Sequence, residues 1–138
     1  MARLARVIEL VLADLELSVS QYRLLALLGE RSEASSALAA KLAVSPPSVT
    51  AVVDGLVARG LVSRHGDEAD RRRVSHQLTA RGRRVLEEAD AATGAELTNL
   101  AAELSKRSAE RALAALDVWG AALEARRRAA AIGREKQS

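Results

Sequence analysis

The sequence contains no cysteine, and its aromatic residues are two, Tyr22 and Trp119. The missing cysteine excludes disulfides, cysteine-ligated zinc and thiol redox sensing together, which fits an intracellular, cytoplasmic site. The scarcity of aromatics, with alanine making up about a fifth of the chain, argues against an all-β fold and for closely packed helices. Long apolar runs are also missing. Glu9, Asp14 and Glu16 interrupt the apolar stretch that follows Arg3 and Arg6, so neither a signal peptide nor a membrane anchor is expected. At 138 residues the chain reads as a single domain, 1–138, able to bury roughly two thirds of its unfolded surface.

What is present is unevenly distributed. The net charge is +3, but residues 1–60 are neutral and residues 61–84 carry seven basic groups against three acidic. Residues 85–123 carry three against seven, and residues 124–138 five against two. Positive charge gathered in one internal segment points to a polyanionic partner.

The two prolines are adjacent and mark a helix start. Ser45 is an expected N-cap, and Pro46 suits the first helical position, where its missing N–H costs nothing. Val49, Val52, Val53, Leu56 and Val57 then recur at spacings of three and four, a stripe that must face a core. The other stripe carries Pro47, Thr50, Ala51, Asp54 and Ala58, with Ser48 at its edge. Its small side chains allow close approach to a DNA major groove, where hydroxyls bond base edges and methyls touch the thymine methyl. Pro47, Ser48, Thr50 and Ala51 are the expected groove contacts; the plainer reading is an ordinary amphipathic helix.

The residues beyond this helix favour DNA. After a stop at Gly60, Leu61–Arg64 and Arg73–Leu78 are β-compatible runs joined by the turn-rich Gly66–Asp70, so a hairpin is expected. Its tip carries Arg71, Arg72 and Arg73, placed to reach phosphates or a narrow minor groove, with Asp70 able to hold a guanidinium extended. Ser36 and Arg64 join them as expected backbone contacts.

Around this centre the chain is helical. Leu4, Ile8, Val11 and Leu15 make a heptad-like seam over 2–16. Ser20 is the expected cap of a helix over 21–30, with Leu24, Leu25 and Leu28 inward and Gly29 at its fraying end. Ser35-Ser36 is the expected cap of a short helix over 37–43. Two short helices and a tight turn make a helix-turn-helix, here without the glycine often found in the turn. Thr79 caps a long helix with the seam Leu86, Ala89, Thr93, Leu97, Leu100 and Leu104, interrupted by Gly94; a last helix begins at Ser105 or Ser108, with the stripe Leu113, Leu116, Trp119 and Leu123. Three seams outrun the core one chain can offer, so a homodimer is expected through Leu4, Ile8, Leu113, Leu116, Trp119 and Leu123. The fold class is mainly α with a small β-hairpin: a winged helix-turn-helix lobe at 20–79, dimerisation helices at 1–17 and 80–132, and a frayed tail at 133–138.

The run from Leu38 through Ser45-Pro46-Pro47-Ser48-Val49-Thr50 to Gly60-Leu61-Val62 closely resembles the MarR family of winged helix-turn-helix regulators. Asp70-Arg71-Arg72-Arg73 followed by Leu78-Thr79-Ala80-Arg81-Gly82 matches that family's wing motif and the opening of its long helix. The resemblance implies a homodimer on double-stranded DNA at a pseudo-palindromic operator, repressing or activating transcription. It implies that Asp70 orients Arg72 into the minor groove, and that a small aromatic acid is an effector, for which Tyr22 and Arg23 are candidates. The chain departs from the family in Ala51, where many members have a longer polar residue, and in a short N-terminal helix. The missing cysteine excludes the family's peroxide-sensing branch.

Other functions have less to stand on. His65 and His76, facing one another across the hairpin beside Asp67, Glu68 or Asp70, would imitate a metal site, but two imidazoles are a thin ligand set. No phosphate-cradling loop or nucleophile elbow is present, so neither an enzyme nor a cofactor is expected. The alternative is a winged-helix module that binds protein, which has no need of three wing arginines. Double-stranded RNA is disfavoured because its major groove does not admit a helix.

Overall fold

The computed structural model describes residues 2–66 and 74–135, with side chains through Arg126. In chain order the elements are α1 (Ala2–Asp14), α2 (Val19–Glu30), β1 (Glu33–Ala34), α3 (Ser35–Leu42), α4 (Pro46–Ala58), β2 (Val62–Gly66), β3 (Val74–Leu78), α5 (Ala80–Ala102) and α6 (Lys106–Glu135). They form two compact units, Met1–Thr93 and Gly94–Ser138.

The first unit is built around leucines. Leu12, Leu24, Leu25, Leu38, Leu56 and Leu61, with Val49 and Val53, are fully buried, each contributing about 2 kcal/mol of apolar burial. They come from α1, α2, α3, α4 and the entry to β2, so α2 sits centrally, against α3, α4 and β3. α1 is anchored by Leu12, outside the expected seam. Ile8 and Leu15 from that seam pack partly buried against the same core.

Helix ends account for most differences from the sequence expectation. Ser18, not Ser20, caps α2: its Oγ accepts from Gln21 N at 3.1 Å, and Ser18 N donates to Gln21 Oε1 at 2.9 Å. The pair is a reciprocal capping box, and Ser-x-x-Gln wins over a lone serine because it satisfies two orphan N–H groups. α3 starts at Ser35, with Ala34 as its cap and no side-chain cap bond, so Ser35-Ser36 lie inside the helix. Its start is set by β1 instead.

Three helices end the same way. Leu17 N donates to Leu12 O at 2.9 Å and Glu16 N to Ala13 O at 2.9 Å, around Glu16 at φ 55. Leu61 N and Gly60 N donate to Leu56 O and Val57 O, both at 2.9 Å, around Gly60 at φ 68. Val44 N donates to Ala39 O at 3.2 Å, around Ala43 at φ 55. Each is a left-handed terminus that returns orphan carbonyls to the chain. Only one uses glycine, so the turn between α3 and α4 is made by alanine, at about 1 kcal/mol of backbone strain.

The sheet has three antiparallel strands in the order β1-β3-β2, one more than expected. β3 lies in the middle, pairing Glu33 with His76 on one side and Val62, Arg64 and Gly66 with Leu78, His76 and Val74 on the other. β2 reaches Gly66, beyond the expected end at Arg64. The expected hairpin tip, with Asp67, Glu68, Asp70, Arg71, Arg72 and Arg73, lies outside the described residues.

α5 opens as expected: Thr79 Oγ1 accepts from Gly82 N at 3.0 Å and donates to Gly60 O at 2.7 Å. The helix continues through Gly94, and Leu104 falls in the turn beyond it. In the second unit Ser105 begins α6, its Oγ accepting from Ser108 N at 3.4 Å. α6 exposes Leu116, Val118, Trp119 and Leu123, while Leu113 is half-buried.

Candidate nucleic-acid interface

α4 is held by its own first turn and by its apolar stripe. Ser45 Oγ accepts from Ser48 N at 3.4 Å and lies 2.8 Å from Ser48 Oγ, and Pro46 occupies the first turn. Val49, Val53 and Leu56 are buried while Pro47, Ser48, Thr50, Ala51, Asp54 and Ala58 are exposed. The small-residue stripe faces outward, as expected. Thr50 Oγ1 donates to Pro46 O at 3.1 Å, which leaves its lone pairs and methyl for an incoming surface. Thr50 is thus set up to accept from a base amine or to touch a thymine methyl.

Arg59 ties the far end of this helix to the turn after α1, donating from Nη1 to Glu16 O at 2.6 Å. That carbonyl belongs to the left-handed residue of the α1 terminus, so one guanidinium fixes the turn and α4 together. Arg64 on β2 forms an ion pair and hydrogen bond with Asp54 on α4. Ser36 is exposed in the first turn of α3. Arg81, Arg83 and Arg84 stand exposed at the opening of α5.

Behind this surface lies a buried polar cluster that sequence reasoning missed. Glu33 on β1 is 9% exposed and accepts from Arg31 Nε at 2.6 Å and from Lys41 Nζ on α3. Burial pushes its carboxyl up, but the hydrogen bonds and charges of Lys41 and Arg31 outweigh this and hold it below the ordinary carboxylate value. His76, 3% exposed, lies with Nδ1 3.2 Å from the Glu33 carbonyl. A carbonyl only accepts, so Nδ1 carries the proton. Burial depresses its pKa, and the Arg64 charge adds to this against the raising effect of the Glu33 carbonyl.

A family model described as the MarR family matches residues 17–74. The chain is 36% identical over 85 residues to the uncharacterized HTH-type transcriptional regulator YhbI of Bacillus subtilis, covering 61% of this chain and 55% of YhbI. It spans about half the length of the curated relatives it matches. Among solved structures, the transcriptional regulator BldR of Sulfolobus solfataricus is 30% identical at a TM-score of 0.63, covering 83% of this chain and 81% of BldR. The chain belongs to the MarR family. The F27L mutant of S. aureus MepR, solved bound to an oligodeoxyribonucleotide, shares the fold at a TM-score of 0.69 and 22% identity, over 88% of this chain and 91% of MepR.

Within this MarR-family fold, α3 and α4 are the helix-turn-helix and β2–β3 the described base of the wing. Sequence reasoning had the two histidines facing one another; the register separates them. His65 pairs with Ser75 and His76 with Arg64, so the rings project to opposite faces of the sheet. His65 Nε2 is instead 3.0 Å from Ser63 Oγ. Among the described residues no group of three or more His, Cys, Asp or Glu is placed to hold a metal ion.

Tyr22 and Arg23, expected together at an effector site, part company. Tyr22 OH donates to Asp90 Oδ1 at 2.6 Å, and burial, then this bond and charge, push its pKa up to about 12. Arg23 donates to Leu42 O at 3.3 Å and lines a crevice of about 40 Å³ with Ser20, Val44, Ser48 and Val52. Neighbours on a helix are about 100° apart, so the two side chains serve different contacts.

The buried cluster sets an acid limit on stability. The folded His76 value lies below 6.5, so as pH falls through 6.5 the unfolded chain takes up the proton first and stability drops. Glu33, depressed below 4.5, keeps its contribution above 4.5 and loses it as pH falls through its folded value. Urea unfolding should show a plateau at neutral pH and a decline that begins near 6.5, and His76→Gln should flatten the upper part of that decline. A wild-type midpoint constant from pH 7 to 5 would contradict the assignment.

Proposed function

We propose that this MarR-family chain is a sequence-reading regulator of transcription that binds double-stranded DNA as a homodimer in the cytoplasm. The observation that carries this reading is the orientation of α4: the stripe with the smallest side chains, including Ser48, Thr50 and Ala51, is the one left open to solvent. A helix so stripped can lie deep in a major groove. Arg64 supplies charge beside it, and the family resemblance implies further cations on the wing in Arg71, Arg72 and Arg73, with Asp70 orienting Arg72, all four outside the described residues. That the F27L mutant of S. aureus MepR, which shares this fold, was solved bound to an oligodeoxyribonucleotide supports DNA as the partner.

The exposed α6 residues Leu116, Trp119 and Leu123, with the half-buried Leu113, offer a surface for a second copy, Leu4 and Ile8 of α1 being the expected contribution of the other end of the chain, and two reading lobes then meet a pseudo-palindrome. Occupancy of such a site represses by excluding other proteins. A small aromatic acid remains the proposed effector, drawn to Arg23; the crevice of about 40 Å³ is smaller than a drug-sized site of at least ~300 Å³, so entry parts α4 from α2 and disturbs the reading helix.

The test is selection of bound duplexes from a random pool by the wild-type chain. The expected product is an inverted repeat with half-sites about 10 base pairs apart. Recovery without enrichment of any sequence would overturn the reading.

A further inference from the structure

Asp54 is the only charged residue on α4, and it stands on the exposed stripe. A bare carboxylate there would face a polyanion. Its partner is Arg64, ten residues on in β2, and the two side chains are 55% and 46% exposed. A pair this open to water adds little to folding stability, so its consequence has to be sought at the surface it occupies. A helix in a major groove and a ribbon in the next minor groove flank one sugar–phosphate strand. Arg64 rises from the ribbon and is tied to the helix, so in that docking its guanidinium would stand on the seam over that strand.

We propose that Asp54 is a positioning and specificity residue, which holds the Arg64 guanidinium over the phosphate strand between the two grooves and penalises every register in which no phosphate meets it. The assignment rests on the DNA-reading function proposed above. Guanidinium carries five N–H donors in one plane, so an edge given to a carboxylate leaves others for a phosphate oxygen. Tethering removes rotamer freedom before binding, which lowers the ordering cost of the contact. In the correct register the anion beneath Arg64 completes an Asp–Arg–phosphate array. Out of register, Asp54 remains a repulsive charge near the backbone, and discrimination comes from that repulsion as much as from the contact.

The experiment measures affinity across a salt series for the duplex selected by the wild type and for its scrambled form, with Asp54→Asn, Arg64→Ala, Arg64→Lys and the Asp54→Asn/Arg64→Ala double variant. Melting curves should show all four folded like the wild type. Asp54→Asn should bind scrambled duplex about threefold tighter and the selected duplex about tenfold weaker, because a repulsive charge and a tether are lost together. Arg64→Ala should lower the salt slope by about one, Arg64→Lys should keep the slope and lose discrimination, and the double variant should bind both duplexes tighter than Arg64→Ala, because the carboxylate left unpaired by that substitution is gone, with no second loss on the selected duplex. An unchanged ratio in Asp54→Asn, an equal loss on both duplexes, or losses that multiply in the double variant overturn this assignment while wild-type DNA reading stands. A wild type that binds no duplex overturns both.

Discussion

Leu116→Asp is expected to give a folded monomer that has lost about 10³-fold in affinity for its operator, as two tethered half-site contacts reduce to one. Leu116 is 42% exposed in the single chain and shares its stripe on α6 with Trp119 and Leu123, 69% and 58% exposed. Large apolar side chains left open in this number mark an interaction surface, and the proposed occupant is a second copy. In a two-fold interface every substitution enters twice. Two leucines at about 2 kcal/mol each, together with two carboxylates stripped of water, exceed what a dimer can absorb. Because the site is open in the monomer, the fold itself should lose under about 0.5 kcal/mol. Sedimentation at micromolar concentration, paired with a melting curve, checks both halves. A variant that stays dimeric, or a wild type that sediments as a monomer, rejects the proposed interface.

Gly82→Ala is expected to cost stability rather than assembly, by about 3 kcal/mol or more, which lowers the melting temperature by ~10 °C in a chain of this size. A Cβ at Gly82 would lie 2.0 Å from the Leu61 carbonyl oxygen and 2.9 Å from its carbon. Neither side can yield cheaply. Leu61 O accepts from Thr79 N at 3.1 Å, and Gly82 N is held by the Thr79 hydroxyl, so relief means separating the start of α5 from the strand entry. Gly29 is the built-in control: a Cβ there meets Leu86 Cδ2 at 2.8 Å, the tip of a side chain that can turn away, and Gly29→Ala should cost far less. Equal effects of the two substitutions would show that the backbone contact does not set the cost.

Where a residue dictates its own backbone, the sequence was legible. Ser45-Pro46 defined the start of α4, Gly60 its end and Thr79 the start of α5, and all three act through bonds within a few residues. The outward face of α4 followed from periodicity alone. The start of α2 was legible as well, since Ser18 and Gln21 spell a capping box that outranks Ser20. Other features depend on distant partners. β1 is two residues long and exists because His76 and Ser75 pair with it, and α3 is positioned through that strand, with Lys41 reaching Glu33. Glu16 and Ala43 adopt a glycine-like conformation with no glycine to announce it. Gly29, read as a fraying end, is instead where α2 lets Leu86 approach. In the site, the partner of Arg64 and the parting of Tyr22 from Arg23 were set by tertiary geometry, which residue spacing does not encode.

Trp119 is the sole indole of the chain, and it stands largely in water on the free subunit. Its emission is therefore a built-in optical reporter for the proposed dimer, expected to be red-shifted and open to iodide quenching in isolated chains and blue-shifted and shielded in the dimer. The reading lobe is dark at the red edge of the indole absorption band, because its one aromatic, Tyr22, is a phenol that does not absorb there. Dilution, subunit exchange and encounter rates can thus be followed by intrinsic fluorescence without a dye.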